Sequence, residues 1–232
     1  MAYYNSGNKI QRETPIIFNL IVINVLVFAA QNLVSQFDVT KWGSLHYFKS
    51  VDFKPHQLIT NIFMHADFGH ILFNMFGLYI FGSILEKFWG SKKFLIFYLI
   101  CGIGASIVLQ LTIPFSAEQF AKSAEAAEYG GYSAQLVKDY IDQYMALGAS
   151  GAIMGVMAAF AWLFPNTELY VMFIPIPVKA KYVIPVFVLI DLFGGIYKIK
   201  GDNIGHFAHL GGALIGLLLV IYWNKTNKKT FY

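Results

Sequence analysis

Apolar residues along this chain gather into six long runs separated by polar stretches. The runs extend over about Pro15 to Val34, His70 to Phe88, Phe94 to Ile113, Met145 to Phe164, Val178 to Tyr197, and Ile204 to Trp223. Each approaches the roughly 20 residues an α-helix needs to cross the hydrocarbon core of a bilayer. The pattern predicts an all-α membrane protein, with residues 15–223 forming one bundle of six transmembrane helices and short tails at 1–14 and 224–232. Two longer segments, 35–69 and 114–144, are expected as loops on one side. The first is mixed, with Trp42, Tyr47, Phe48 and Phe53 among polar residues, which suits a membrane interface. The second is polar and net acidic, and Ser133 to Tyr144 has helical character, so it reads as a cap of short amphipathic helices.

Composition agrees with the pattern: 57% of the residues are apolar and 13% charged, where a soluble domain carries about 25% charged residues. The net charge of +4 does not point to nucleic acid, because the basic residues sit at the ends of apolar runs rather than in one stripe. With both termini on the cytoplasmic side, the inner segments hold Lys9, Arg12, Lys87, Lys92, Lys93, Lys179, Lys181, Lys225, Lys228 and Lys229, ten of the 17 basic residues. The positive-inside bias favours that orientation. The first run, preceded by Lys9 and Arg12, reads as a retained span rather than a cleaved leader, since no clear small-residue cleavage site follows and further spans do. The short chain without an evident organelle presequence leads to the expectation of a bacterial inner membrane. The single cysteine, Cys101, lies in an apolar run, where it is read as packing; one thiol allows no disulfide within the chain.

Polar side chains within a bilayer are costly and call for a reason. Three clusters stand out: His65, His70 and Asn74 at and within run two, Gly148-Ala149-Ser150-Gly151 at the start of run four, and His206 and His209 at the start of run six. An even number of spans puts all three at similar depth beneath one surface. His70 and Asn74, four residues apart, share a helical face. Gly151 with Gly155, and Gly212 with Gly216, are small-residue pairs that let helix backbones approach, and Gly148 is expected to serve helix packing with them. Since His209, Gly212 and Gly216 share a face, close packing of runs four and six would bring His209 to Ser150.

Such an arrangement has a chemistry. A serine hydroxyl becomes a useful nucleophile beside a base, and His209 can serve near neutral pH. Asn74, His70 and the Ser150 backbone N–H are expected donors to an oxyanion. No carboxylate looks well placed as a third member; Asp191 lies nearer the middle of run five, so a Ser150–His209 dyad is the economical reading. His65 is read as a structural link between loop and helix, and His206 as a residue of the water interface. The His-Glu-x-x-His string of zinc proteases is missing, and neither metal nor cofactor is expected. A transporter would more readily present two similar halves, which are not seen. Pro175, Pro177 and Pro185 disturb the run-five region and mark it as a mobile helix for substrate access.

The same residues carry a resemblance. His65-Ala-Asp-Phe-Gly-His70-Ile-Leu-Phe-Asn74 resembles the second-helix motif of rhomboids, Gly148-Ala149-Ser150-Gly151 their Gly-x-Ser-Gly motif, and Ala208-His209 with Gly212 and Gly216 their sixth-helix motif. The three stand in the family's order and cover nearly the whole chain in its six-helix bacterial form. The resemblance implies an intramembrane serine endopeptidase with catalytic Ser150 and His209, and oxyanion contacts from His70, Asn74 and the Ser150 backbone. It also implies transmembrane protein substrates that arrive laterally through the lipid near runs two and five, and no ATP or metal. The rival is an inactive relative that binds transmembrane helices; such relatives usually lack the serine or the histidine. Two positions depart from many members. His56-Gln57 stand where a Trp-Arg pair is common, and Met154 stands where some place a tyrosine that stacks on the histidine. These departures bear on efficiency and substrate range.

Overall fold

The computed structural model describes residues 12–123, 130–170, 176–197 and 204–226. Lys9, Lys228 and Lys229 of the charge argument, Pro175, and part of each tail lie outside them. Among the described residues, four helices are long and apolar enough to cross a membrane: α1 (Pro15–Leu33), α4 (Phe68–Trp89), α5 (Ser91–Ala121) and α9 (His206–Thr226). Between α1 and α4 lie the short helices α2 (Val39–Gly43) and α3 (Gln57–Thr60), with strand β1 (Leu45–His46) between them. After α5 come α6 (Ala134–Gln143), strand β2 (Met145–Ala146) and α7 (Ser150–Leu163). The hairpin β3 (Glu168–Tyr170) and β4 (Pro177–Lys179) then leads into α8 (Ala180–Ile196). The described residues form an all-α bundle with two small two-stranded patches.

Each of the six predicted runs contains a helix, and their ends show what the apolar pattern does not resolve. Run four was expected from Met145, but α7 begins at Ser150. The reason is pairing: Leu45 and His46 form antiparallel bridges to Ala146 and Met145, so the start of the run is held extended against the first outer loop and the Gly148 turn follows before the helix. The remaining 14 residues span about 21 Å, less than the roughly 30 Å of a hydrocarbon core. Run three, in contrast, extends eight residues past Ile113, with Pro114 inside the helix. The helical expectation for Ser133 to Tyr144 corresponds to α6, which buries none of its residues and is capped by the Ser133 side chain accepting from Leu136 N–H. Of the run-five prolines, Pro185 interrupts α8 from within, whereas Pro177 lies in β4.

The core forms where α4, α5, α7 and α9 meet, around Phe94, Phe97, Tyr98, Ala152, Val156 and Phe160. The outward faces remain apolar, as at Leu26, Phe76, Leu111 and Leu218, which suits contact with lipid. Glu86, buried near the end of α4, accepts hydrogen bonds from Ile16 N–H and Ile17 N–H and from the Ser91 hydroxyl, all at 2.6–2.9 Å. It thereby caps the start of α1 with a carboxylate. Lys87 pairs with Glu13, and Lys93 lies over the Trp223 ring, at the end of the bundle opposite the strands β1 and β2.

The first outer loop is fastened by buried amides. Gln57 accepts from His46 N–H and Lys54 N–H and donates to the Asp52 and Trp42 carbonyls. Gln110 of α5 donates to the His46 carbonyl at 2.6 Å and accepts from Phe48 N–H. His56 stacks on Trp42. The His56-Gln57 departure therefore supplies its own loop anchor. In the same loop Lys41 pairs with Asp52 and holds that exposed carboxyl below its ordinary range.

Candidate active site

The α7 and α9 backbones run in near contact because glycines face one another. A Cβ at Gly212 would collide with the Gly151 carbonyl oxygen, and one at Gly216 would stand 2.5 Å from the Gly155 Cα. From the other side, a Cβ at Gly155 would stand 2.9 Å from the Gly212 carbonyl oxygen, and one at Gly151 would be 2.7 Å from Ala105 of α5. Both helices begin at the loop end of the bundle, so this packing sets Ser150 level with the first turn of α9. There Ser150 Oγ lies 2.7 Å from His209 Nε2.

Gly148 was expected to serve helix packing, like the other four glycines. It instead precedes α7, in a turn with φ +130° that side chains rarely adopt. Its N–H donates to the Asn61 carbonyl at 2.9 Å, and Asn61 is itself tied to Ser106 of α5. The space beside Gly148 is taken by the His70 ring, whose Nε2 would be 2.8 Å from a Cβ at that position, with Ser150 Oγ 3.6 Å away on the same side.

His70 sits in the first turn of α4, whose start is capped by Asp67 accepting from His70 N–H. Its Nδ1 accepts from Ala66 N–H at 3.4 Å, which leaves Nε2 as the protonated nitrogen facing the Gly148 turn. His65, fully buried in the outer loop, meets His70 edge to face and exchanges backbone hydrogen bonds with the Gln31 side chain. Burial, and then the neighbouring His70, push the His65 imidazole down to about 4, so it is neutral at pH 7. One turn beyond His70, Asn74 is buried with Nδ2 lacking an acceptor among the described residues. Gly77 of the same face packs against Ile153, one turn beyond Ser150, which aligns the Asn74 and Ser150 levels of the two helices.

Two expectations are corrected. Asp191 lies against His209: its Oδ1 accepts from His209 Nδ1–H at 3.0 Å and from His206 Nδ1–H at 2.8 Å. His206 is not at the water interface. It is 8% exposed, and its ring rests where side chains on Gly194 would stand. Asp191 was set aside as lying nearer the middle of run five, 13 residues on from Val178. Counted from the other end, Asp191 lies six residues before Tyr197, and His209 lies five after Ile204. At 1.5 Å per residue those depths are similar. Met154, the other departure, is buried in the core.

The chemistry these groups can do follows from their hydrogens. An ionised carboxylate only accepts, so both histidines present Nδ1–H to Asp191. His209 Nε2 then carries the lone pair and accepts the Ser150 O–H. On α4, His70 offers an Nε2–H toward the Gly148 turn, and Asn74 Nδ2 is a buried donor that lacks an acceptor among the described residues.

The family model described as the Rhomboid domain matches residues 52–225. RHOMBOID-like protein 12, mitochondrial, of Arabidopsis thaliana is 31% identical over 94% of this chain and 60% of its own length. Rhomboid-like protein 11, chloroplastic, of the same plant is 28% identical over 92% of this chain and 67% of its own length. The human presenilin-associated rhomboid-like protein, mitochondrial, is 28% identical over 93% of this chain and 50% of its own length. The chain thus spans about half to two thirds of the length of these relatives. With a family match over most of the sequence and a multi-pass helical bundle beneath it, the chain belongs to the rhomboid family.

Proposed function

We propose that the protein is an intramembrane serine endopeptidase that cleaves transmembrane segments of other membrane proteins. Ser150 is the nucleophile and His209 its base, and His70, Asn74 and the Ser150 backbone N–H receive the oxyanion. The observation that carries this reading is the 2.7 Å separation of Ser150 Oγ and His209 Nε2, inside the reach a general base needs. The Asn74 amide, without an acceptor among the described residues, adds support, since such a buried donor suits a charge that exists only during reaction. Substrates reach the site laterally past α4 and α8, where Pro185 removes a backbone hydrogen bond. The division into tails 1–14 and 224–232 around a membrane domain 15–223 belongs to the same proposal.

The protein lies in its membrane with the Lys87 and Lys93 end on the inner side. The relatives named above are mitochondrial and chloroplastic, so the expectation of a bacterial inner membrane has lost its footing. Subcellular fractionation of the native source decides between a bacterial and an organelle membrane.

The test is cleavage of a generic transmembrane substrate in proteoliposomes by the parent, Ser150→Ala and His209→Ala, with fluorophosphonate labelling in parallel. The expected result is loss of cleavage in both variants and labelling at Ser150 that requires His209. Cleavage that persists in Ser150→Ala removes the proposal. A parent that neither cleaves nor labels across several substrates transfers the reading to a helix-binding rhomboid.

A further inference from the structure

We infer that Asp191 is a third member of the reacting group, a positioning residue that turns the Ser150–His209 pair into a Ser-His-Asp arrangement; this rests on the proposed hydrolysis. Asp191 is 7% exposed and stands on α8, whereas Ser150 and His209 stand on α7 and α9. A carboxylate inside an apolar bundle is costly unless its hydrogen bonding is strong. Here one oxygen, Oδ1, accepts from two imidazoles, at 2.8 and 3.0 Å. Among the described residues, no lysine or arginine bridges to Asp191, whose carboxylate meets His206 and His209. The carboxylate is thus directed at the ring that contacts the serine.

Its effect on the reaction follows from proton positions. The Asp191 carboxylate retains the His209 proton on Nδ1, so the Nε2 lone pair faces Ser150. As Oγ bonds to the substrate carbonyl carbon, the hydroxyl proton passes to Nε2 and the carbonyl electrons move to its oxygen. His209 is then an imidazolium, 3.0 Å from a negative carboxylate. When the C–N bond breaks, the Nε2 proton goes to the leaving nitrogen. The Nδ1 proton stays in place throughout, and Asp191 remains ionised. His206 has a different part. It holds the same oxygen from the other side and keeps the carboxylate from turning away, and its own bond to Asp191 is through Nδ1, away from the serine.

A merely structural Asp191 would tie α8 to α9 without regard to tautomer, and the two roles separate experimentally. In proteoliposomes, Asp191→Asn and Asp191→Ala are expected to lower kcat by about 10²- to 10⁴-fold with KM within about threefold. His206→Gln is expected to lower kcat less than tenfold. In the detergent-solubilised parent, ¹⁵N spectra of the histidines, assigned against His209→Gln, are expected to place the His209 proton on Nδ1. In Asp191→Ala the two His209 tautomers are expected to mix. Normal kcat in both Asp191 variants, beside an inactive Ser150→Ala, overturns the inference and leaves the hydrolase reading intact. If the parent is inactive, the hydrolase reading fails separately, and the ¹⁵N spectrum still decides Asp191: a His209 proton on Nε2 in the parent overturns it. That measurement also decides the matter if the Asp191 variants do not fold.

Discussion

The ring of His70 occupies the space that a side chain on Gly148 would fill, with Nε2 2.8 Å from that Cβ position. This contact joins two motifs that are nearly 80 residues apart in sequence, and it makes the glycine part of the histidine's support. The φ of +130° at Gly148 adds a backbone reason for the same residue. Gly148→Ala is expected to cost about 1–3 kcal/mol in strain and to displace His70. The rate of the proposed proteolysis is expected to fall by about 10²-fold or more, because a displacement of about 1 Å near the reacting groups has that effect. Parallel melting in detergent and cleavage in proteoliposomes measure the two; a rate within threefold of the parent removes His70 from the oxyanion site.

The Gly212 contact predicts a sharper dependence. A methyl group there meets the Gly151 carbonyl oxygen, a backbone atom that cannot rotate away. Gly212→Ala should push α9 off α7, destabilise by about 1–3 kcal/mol or more, and separate His209 from Ser150. Fluorophosphonate labelling is then expected to drop at least 10²-fold. Gly90→Ala provides the contrast. Gly90, like Gly148, has positive φ, but nothing lies within 4 Å of its Cβ position. It should lose about 1 kcal/mol of stability and keep its labelling rate. Equal loss in both variants would attribute the Gly212 result to general unfolding.

At Asn74, stability and activity are expected to move apart. Its buried Nδ2 lacks an acceptor among the described residues, so Asn74→Leu removes an unsatisfied donor. Melting in detergent is expected to be unchanged or higher, by about 1 kcal/mol. If Asn74 meets an oxyanion, kcat should fall by about 10²- to 10³-fold with little change in KM. A joint loss of stability and kcat would instead make Asn74 a strut between helices.

His65 gives the bundle an acid limit. Its folded value of about 4 lies below the ordinary 6.5, because burial disfavours the charged ring. Between those values the unfolded chain binds the extra proton, so stability is full above about pH 6.5 and declines as pH falls toward 4. The gap corresponds to about 3 kcal/mol at most. Melting temperatures of the parent should fall from pH 7 to pH 4.5, and those of His65→Phe should fall less. Parallel curves would move the acid sensitivity elsewhere.

Much of this site is readable from sequence because a bilayer makes polar residues conspicuous. His70, Asn74, Ser150 and His209 are out of place in apolar runs, and the Gly-x3-Gly pairs indicate which faces press together. Asp191 was equally conspicuous, yet its pairing depended on where run five ends and on a correct count from that end. A run four that starts at Met145 puts Ser150 about one turn in, whereas Ser150 is the first residue of its helix. The bridges between Leu45–His46 and Met145–Ala146 set that start, and such pairing across 100 residues leaves no mark in apolar periodicity. Gln57 and Gln110 were hidden for a similar reason: their roles lie in amides facing loop backbone, not in any local spacing.

Glu86 has a consequence for how the chain is made. The amides of Ile16 and Ile17 receive this carboxylate across about 70 residues of sequence. During synthesis the first span therefore emerges well before the group that caps it. Ser91, which also donates to Glu86, follows five residues later at the start of α5. The cap is complete only when the second span has been made and the third has begun. The α1 cap can therefore form only after the α4–α5 turn has been made, an order set by the position of one acidic residue.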